Sequence, residues 1–292
     1  MFVTANDATG NHLYHNIGAG NFTNVTSGPE LQSPSSVGCE GCSWGDYDND
    51  GYLDLFVCGE GGNNGFYHNN GDGTFTQITN EPPVNGGGPD FNCASVAWVD
   101  YDNDGFLDLF LTRGNNVTPT SNLLFHNNGN TNGWLEVKLV GTVANRSAIG
   151  AKVRVKATLH GKTFWQLREI TGGGGWNLQP LVAHFGLGDA TNANTVRVEW
   201  PSGNVQEFQN VAAKQYLTII EPPRLLASTT NGVPQFSLKG GRFMQYDIQA
   251  SSDLMAWSPV STVTITNLSG TAQIIDPGAP GSDHRFYRGV SH

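Results

Sequence analysis

Residues 46–54 read DYDNDGYLD and residues 100–108 read DYDNDGFLD, so one carboxylate pattern is written twice. Aspartates stand at positions 1, 3, 5 and 9 of each stretch, with glycine at position 6. Side chains so spaced, with the carbonyl at position 7, wrap oxygen ligands around one hard cation, and the glycine permits the sharp turn. The first loop offers Asp46, Asp48, Asp50, the carbonyl of Tyr52 and Asp54; the second offers Asp100, Asp102, Asp104, the carbonyl of Phe106 and Asp108. Four aspartates within nine residues repel one another unless a cation neutralises them. An all-oxygen set without His or Cys selects Ca²⁺ over zinc or copper, so two Ca²⁺ sites are expected. A metal-free Asp/Asn-rich turn would need chance to reproduce every ligand position and the glycine twice. A helix-loop-helix calcium module does not fit either, because position 12 would be Glu and is here Val57 or Leu111.

The charge distribution points the same way. Residues 1–132 carry fifteen acidic side chains against Arg113 alone, a net −14, whereas residues 133–221 sum to +3 and residues 222–292 to +1. Eight of the fifteen are the loop aspartates. A surface this acidic excludes nucleic acid as a partner, since phosphate binding needs clustered Lys and Arg. No run of roughly 18 apolar residues is present to cross a membrane as a helix. The N-terminus MFVTANDATG lacks a basic segment followed by an apolar one, so a signal peptide is not expected within this chain.

The elements that must position the loops are strands. Gly is abundant (38 of 292 residues), only 14% of residues are charged, and Val, Thr and aromatics recur in short runs, which is an all-β composition. Three passages align: NHLYHNIGAGNFTNVT from 11, NNGFYHNNGDGTFTQIT from 63 and SNLLFHNNGNTNGWLEV from 121. Each acid loop lies between a strand ending in Trp44-Gly45 or Trp98-Val99 and a strand reading LDLFV or LDLFL; an aromatic strand and a Gly/Asn turn follow. A spacing of 54 residues from Asp46 to Asp100 is that of propeller blades. About two and a half units fit in residues 1–132, with the first acid loop missing. A closed propeller needs at least about four blades.

After Gly133 the texture changes. WLEVKLVG, GAKVRVKATL, TFWQLREI, TVRVEWPSG and QYLTIIE alternate as strands of a second β domain over residues 133–221. A linker is expected near Glu221-Pro222-Pro223. QFSLKG, YDIQASSD, STVTITN, AQIID and HRFYRGV then suit a small β-sandwich over residues 222–292.

The strand-DYDNDGxLDLF-strand unit with its LYHNxGxGxFT turn resembles the FG-GAP/VCBS repeat of integrin-type β-propellers. Residues 133–221, with NRSAIGAKVRVKA, REITGGGG, HFGLGDA and VRVEWPSG, resemble the ASPIC/UnbV domain. Residues 222–292, with SSDLMAWSPV and HRFYRGV, are similar to C-terminal immunoglobulin- or fibronectin-like β-sandwich modules of secreted bacterial proteins. The resemblance implies an extracellular, calcium-stabilised propeller without established catalysis. The incomplete blade count and the missing first loop depart from a closed ring.

Other chemistry-bearing residues are weighed against plainer roles. Cys39, Cys42, Cys58 and Cys93 allow three pairings. Cys42 precedes Asp46 by four residues and Cys58 follows Asp54 by four, which favours a Cys42–Cys58 bridge across adjacent strands. Cys39 and Cys93 hold matching positions in successive units, which favours Cys39–Cys93. A zinc site is disfavoured because Cys58 and Cys93 do not form a second close pair. His15, His68 and His126 recur at one place in a (Tyr/Phe)-His-Asn repeat, which argues a structural role. The TGGGGW run at 171–176 lacks the Lys-Ser/Thr of a phosphate loop, and His184 stands beside no nucleophile motif. No catalytic residue is assigned and enzyme activity is not expected.

The expectation is a non-catalytic, secreted or cell-surface, calcium-binding structural or adhesion protein whose partners are proteins or glycans of a cell surface or matrix. Open blade edges would let copies assemble into a fibre. The alternatives are accessory domains of a larger secreted polysaccharide-active enzyme, or a glycan-binding lectin with Trp165 and Trp176 as platforms.

Overall fold

A computed structural model describes residues 1–5, 10–32, 38–60, 64–85, 93–114, 121–173, 180–230, 233–279 and 285–291. Three small antiparallel sheets come first. β1 (Phe2–Val3), β2 (His12–Gly18) and β3 (Asn21–Val25) form one; β4 (Gly38–Gly45), β5 (Asp54–Glu60), β6 (Gly65–Asn69) and β7 (Phe75–Gln77) form the next; β8 (Cys93–Val99), β9 (Asp108–Arg113) and β10 (Leu123–Phe125) form the third. Each acid loop closes the hairpin of the first two strands, pairing Gly45 with Asp54 and Val99 with Asp108. The LDLFVC run is apolar without alternation because β5 is covered on both faces, and Leu55, Phe56, Val57 and Cys58 are fully buried. Leu55 and Val57 pack toward Phe2 and Leu13 of the first sheet. Phe56 and Cys58 pack toward Trp98, Leu109 and Leu111 of the third. This face-to-face stacking of successive repeats is the propeller arrangement read from the sequence, and no closed ring is present among the described residues.

Seven strands follow: β11 (Gly133–Val140), β12 (Lys152–Leu159), β13 (Lys162–Glu169), β14 (Val182–Gly188), β15 (Asn192–Glu199), β16 (Val205–Ala212) and β17 (Gln215–Ile220). They make two sheets, β14-β11-β17 with a parallel β11–β17 pair and β13-β12-β15-β16. Leu135, Val137, Val153, Val155, Phe185, Leu187, Val196 and Val198 fill the space between them. The WLEV stretch aligned above with the repeats therefore leaves them: Trp134 to Lys138 pair with β14 instead of flanking β10. Two further three-stranded sheets complete the chain. β18 (Arg224–Thr230), β19 (Val233–Lys239) and β22 (Thr271–Ile275) form one; β20 (Gln245–Ser251), β21 (Ser258–Thr264) and β23 (Phe286–Ser291) form the other. Phe236, Leu238, Tyr246, Ile248, Ile265 and Ile274 form their core.

The cysteine pairing differs from expectation. Cys58 is bonded to Cys93, while Cys39 and Cys42 keep their thiols, so neither Cys42–Cys58 nor Cys39–Cys93 forms. The hairpin pairs Gly45, not Asp46, with Asp54, so the even ladder from the loop sets Cys42 opposite Val57, and a register shift beyond Cys42 sets Cys39 opposite Gly59. Cys39 and Cys42 thus share the face of Leu55 and Val57, whereas Cys58 emerges on the other face with Phe56. Equivalent positions in successive repeats point the same way, so Cys93 reaches back to the second repeat while Cys39 reaches back to the first. The bridge staples consecutive repeats across 35 residues, a loop whose closure is worth about 3–4 kcal/mol of unfolded-state entropy. Cys58→Ser with Cys93→Ser is expected to cost about that much in urea unfolding. Cys42→Ser, at a half-buried thiol outside the bridge, should cost less than the double replacement.

Candidate metal centre

In both loops the backbone folds around the carboxylates. The Tyr47 and Tyr101 amides donate to Asp54 Oδ2 and Asp108 Oδ2 at 3.2 Å each, and the Gly51 and Gly105 amides donate to Asp46 Oδ2 and Asp100 Oδ2 at 3.0 and 2.8 Å. The Tyr52 and Phe106 amides donate to Asp50 and Asp104 at 2.8 and 2.9 Å. Asn49 and Asn103 take left-handed conformations at φ 58° and 62°, which Asn accepts more readily than most residues. Carboxylate oxygens of Asp46, Asp48 and Asp50 come within 4.8 Å of one another, as do those of Asp100, Asp102 and Asp108. The structure therefore gathers the predicted ligand aspartates at two points, with Asp54 and Asp104 joining through Asp48 and Asp102.

The donor set suits a hard cation. Asp46 is 1% exposed, and its Oδ1 is buried without a hydrogen-bond partner. An ionised carboxylate oxygen left so is costly. Burial, then the neighbouring Asp54, holds the Asp46 carboxyl well above its usual range, and burial pushes Asp50 up to about 6. A divalent ion at this point would satisfy the orphaned oxygen and reverse that bias toward the protonated forms.

The histidines of the repeat touch the loops, which the sequence alone left as a structural role without a partner. His68 Nδ1 lies 3.1 Å from Asp54 Oδ1 and 3.3 Å from Asp48 Oδ2, and His126 Nδ1 lies 3.2 Å from Asp108 and 3.4 Å from Asp102. The hydrogen bond to Asp54 raises His68 to about 9. The next residue also serves the loop: the Asn69 and Asn127 amides donate to Asp54 and Asp108 at 2.8 and 2.7 Å, and their side chains hold the carbonyls of Leu53 and Leu107. The signal was present in the His-Asn dipeptide that follows each acid loop. His15 occupies the same place in β2 and is exposed.

The loops also form the joint to the second half of the chain. The Gly186 amide donates to Asp46 Oδ2 at 3.0 Å, and the Gly188 amide donates to the Asn49 carbonyl at 2.8 Å. A Cβ at Gly186 would overlap the Asp46 carboxylate, so only glycine permits this approach. Gln166 Nε2 holds the Gly186 carbonyl at 2.7 Å, and Tyr52 stacks on Phe164 at 5.3 Å. Asn49 Nδ2 bonds the Gly105 carbonyl at 3.0 Å, which His184 Nε2 also approaches at 3.2 Å. Burial lowers His184 to about 4, and burial with the charge of Asp100 raises Glu136 to about 8. On the second loop, the Tyr216 hydroxyl donates to Asp100 Oδ2. These contacts explain HFGLG and its glycines, which sequence reasoning left without a task. Trp165 is exposed, with Lys156 Nζ 5.9 Å from its ring centre; Trp176 lies outside the described residues, as do Gly174 and Gly175 of the glycine run.

This combination defines a class. Residues 1–57 and 46–111 match the FG-GAP-like repeat and residues 141–225 match ASPIC and UnbV, so the chain carries both kinds of module. Among curated proteins it is similar to cartilage acidic protein 1. The human protein is 37% identical over 125 residues, 42% of this chain and 18% of that one; the Xenopus tropicalis protein is 36% identical over 119 residues, 40% and 18% respectively. The matched stretch is thus less than a fifth of those relatives. A solved tetra-tandem repeat from the extending region of a large adhesion protein aligns over 82% of this chain and 66% of that one, at 13% identity and a TM-score of 0.16, which establishes no common fold.

Proposed function

We propose that this chain is a non-catalytic, extracellular or cell-surface, calcium-binding structural or adhesion protein, organised as repeats over residues 1–132, an ASPIC/UnbV β domain over 133–221 and a β-sandwich over 222–292. The observation that carries the reading is the duplicated aspartate loop with the buried Asp46 oxygen that has no hydrogen-bond donor. Asp46, Asp48, Asp50, the Tyr52 carbonyl and Asp54 would hold one Ca²⁺; Asp100, Asp102, Asp104, the Phe106 carbonyl and Asp108 would hold the second. The ion's role is mechanical, since it fixes two hairpins and the joint that rests on them. Proteins or glycans of a matrix or cell surface are the partners such a rigid module presents itself to, and copies join through open strand edges. Similarity to cartilage acidic protein 1 and to FG-GAP-like repeats supports this placement. Isothermal titration of the chelated chain should find two Ca²⁺ per molecule. Asp48→Ala and Asp102→Ala should each remove one, and a silent titration of the unmodified chain would sink the reading.

A further inference from the structure

The (Tyr/Phe)-His-Asn strand occurs three times, and in two of them its outer edge is covered. β3 pairs with β2, setting Thr23 opposite His15 and Phe22 opposite Asn16. β7 pairs with β6 in the same register, setting Thr76 opposite His68 and Phe75 opposite Asn69. β10 is the third such strand, and among the described residues nothing pairs with its outer edge, because the chain turns away into β11. Leu124 is left 49% exposed there.

The same comparison shows what is missing beneath that edge. In the second repeat Phe75 lies against Trp44, with ring centres 6.0 Å apart, in the groove facing the first repeat. Trp98 holds Trp44's place in the third repeat. Beside it, in the groove facing the second repeat, is a cavity of about 520 Å³ lined by Tyr47, Phe66, Ile78, Pro83, Leu109 and Phe125 among others. The third repeat thus has an open strand edge and, next to it, an aromatic-walled space where the second repeat places Phe75.

We propose that this edge and cavity accept the β3 segment of a second copy, so that β3 of one molecule completes the third repeat of the next. The donor has the required sequence: GNFTNVT at 20–26 matches GTFTQIT at 73–79. It is also loosely held, for among the described residues β3 pairs only with β2, its first four residues are exposed and Phe22 is 50% exposed. Exchange keeps one ladder for another, Thr23 opposite His126 and Phe22 opposite Asn127, and moves the Phe22 ring from water into the cavity. Donor and acceptor are different surfaces, so the contact is head to tail and builds open chains or rings. The inference rests on the reading of the chain as an assembling extracellular module and names the surfaces that assemble.

Sedimentation of the intact chain in Ca²⁺ over a hundredfold concentration range tests it. Mass should rise with concentration, and Phe22→Asp, at a side chain half exposed in the single molecule, should weaken association at least tenfold while leaving melting unchanged. Oxidation of a mixture of Val25→Cys and Leu124→Cys chains should yield a mixed dimer. The synthetic peptide GNFTNVT should compete, and its Phe-to-Asp form should not. A strictly monomeric chain, or association indifferent to Phe22→Asp, overturns the proposal. Peptide capture by a chain that never self-associates does so too, because it assigns the groove to a strand from another protein. Two-site Ca²⁺ titration of Phe22→Asp should be unaltered, so failure here is separable from failure of the metal assignment.

Discussion

Chelating divalent cations should lower the melting temperature of the intact chain by roughly 10 °C, and Asp46→Ala should be more damaging than Asp100→Ala. A site with ligand at about a hundred times its dissociation constant adds about 2.7 kcal/mol, so two sites give about 5 kcal/mol. In proteins of 150–250 residues each kcal/mol moves the midpoint by about 2–4 °C. The asymmetry comes from what each aspartate holds besides the ion. Asp46 is buried, and its Oδ2 accepts the Gly51 and Gly186 amides. Its removal leaves the Gly186 N–H with no acceptor, at about 1–3 kcal/mol beyond the lost ion. Asp100 lies nearer solvent and bonds Tyr216, which is 44% exposed, so water replaces much of what its removal takes away. Calorimetry with calcium and with chelator measures both effects. Superimposable melting curves, or Asp100→Ala falling as far as Asp46→Ala, would contradict this account of the joint.

The loops were legible because their chemistry is local. Ligand spacing, the Asn-Gly turn and the flanking strands all lie within a dozen residues, and duplication made chance an inadequate explanation. The strands read as apolar runs in the repeats were found for the same reason, while β14, β16 and β18 were missed. The VAHFGLG run of β14 looks like a glycine-rich loop, and its glycines are explained only by the carboxylate that approaches from 140 residues away. The cysteine pairing failed on a different kind of information. Counting four residues on either side of the loop assumes that Asp46 faces Asp54, and because Gly45 does so instead, Cys42 falls opposite Val57 and Cys58 turns to the other face. WLEV aligns with the repeats by its alternation, yet the change of texture after Gly133 assigns WLEVKLVG to the second β domain, and its pairing with β14 and β17 agrees.

Glu221 is the residue whose weight the sequence hid most completely, since beside Pro222 and Pro223 it reads as part of a linker. It is 1% exposed. Its Oε2 accepts the backbone amides of Thr142, Val143 and Ala144 at 2.9, 2.8 and 2.7 Å, and its Oε1 accepts the Ser202 hydroxyl and the Asn204 side-chain amide. Its own amide donates to the Val140 carbonyl at 2.9 Å. One carboxylate therefore ties the end of β11, the turn after Trp200 and the entry to β18. Glu221→Ala should cost about 3–5 kcal/mol, the range for removing one side of a buried charge-assisted network, because three amide donors lose their acceptor together. Glu221→Gln keeps one oxygen for those amides and turns an NH₂ toward Ser202, whose hydroxyl can accept, so its cost should fall between alanine and the parent. Arg224 donates to the Ser202 carbonyl at 3.1 Å, and loosening this junction should speed trypsin cleavage after Arg224 in the same order, parent, glutamine, alanine. Urea unfolding supplies the energies and limited proteolysis locates the opening. If Glu221→Ala lost less than about 1 kcal/mol, the three amides would have to find water at the cost usual for an exposed turn, and the junction would be a flexible linker after all.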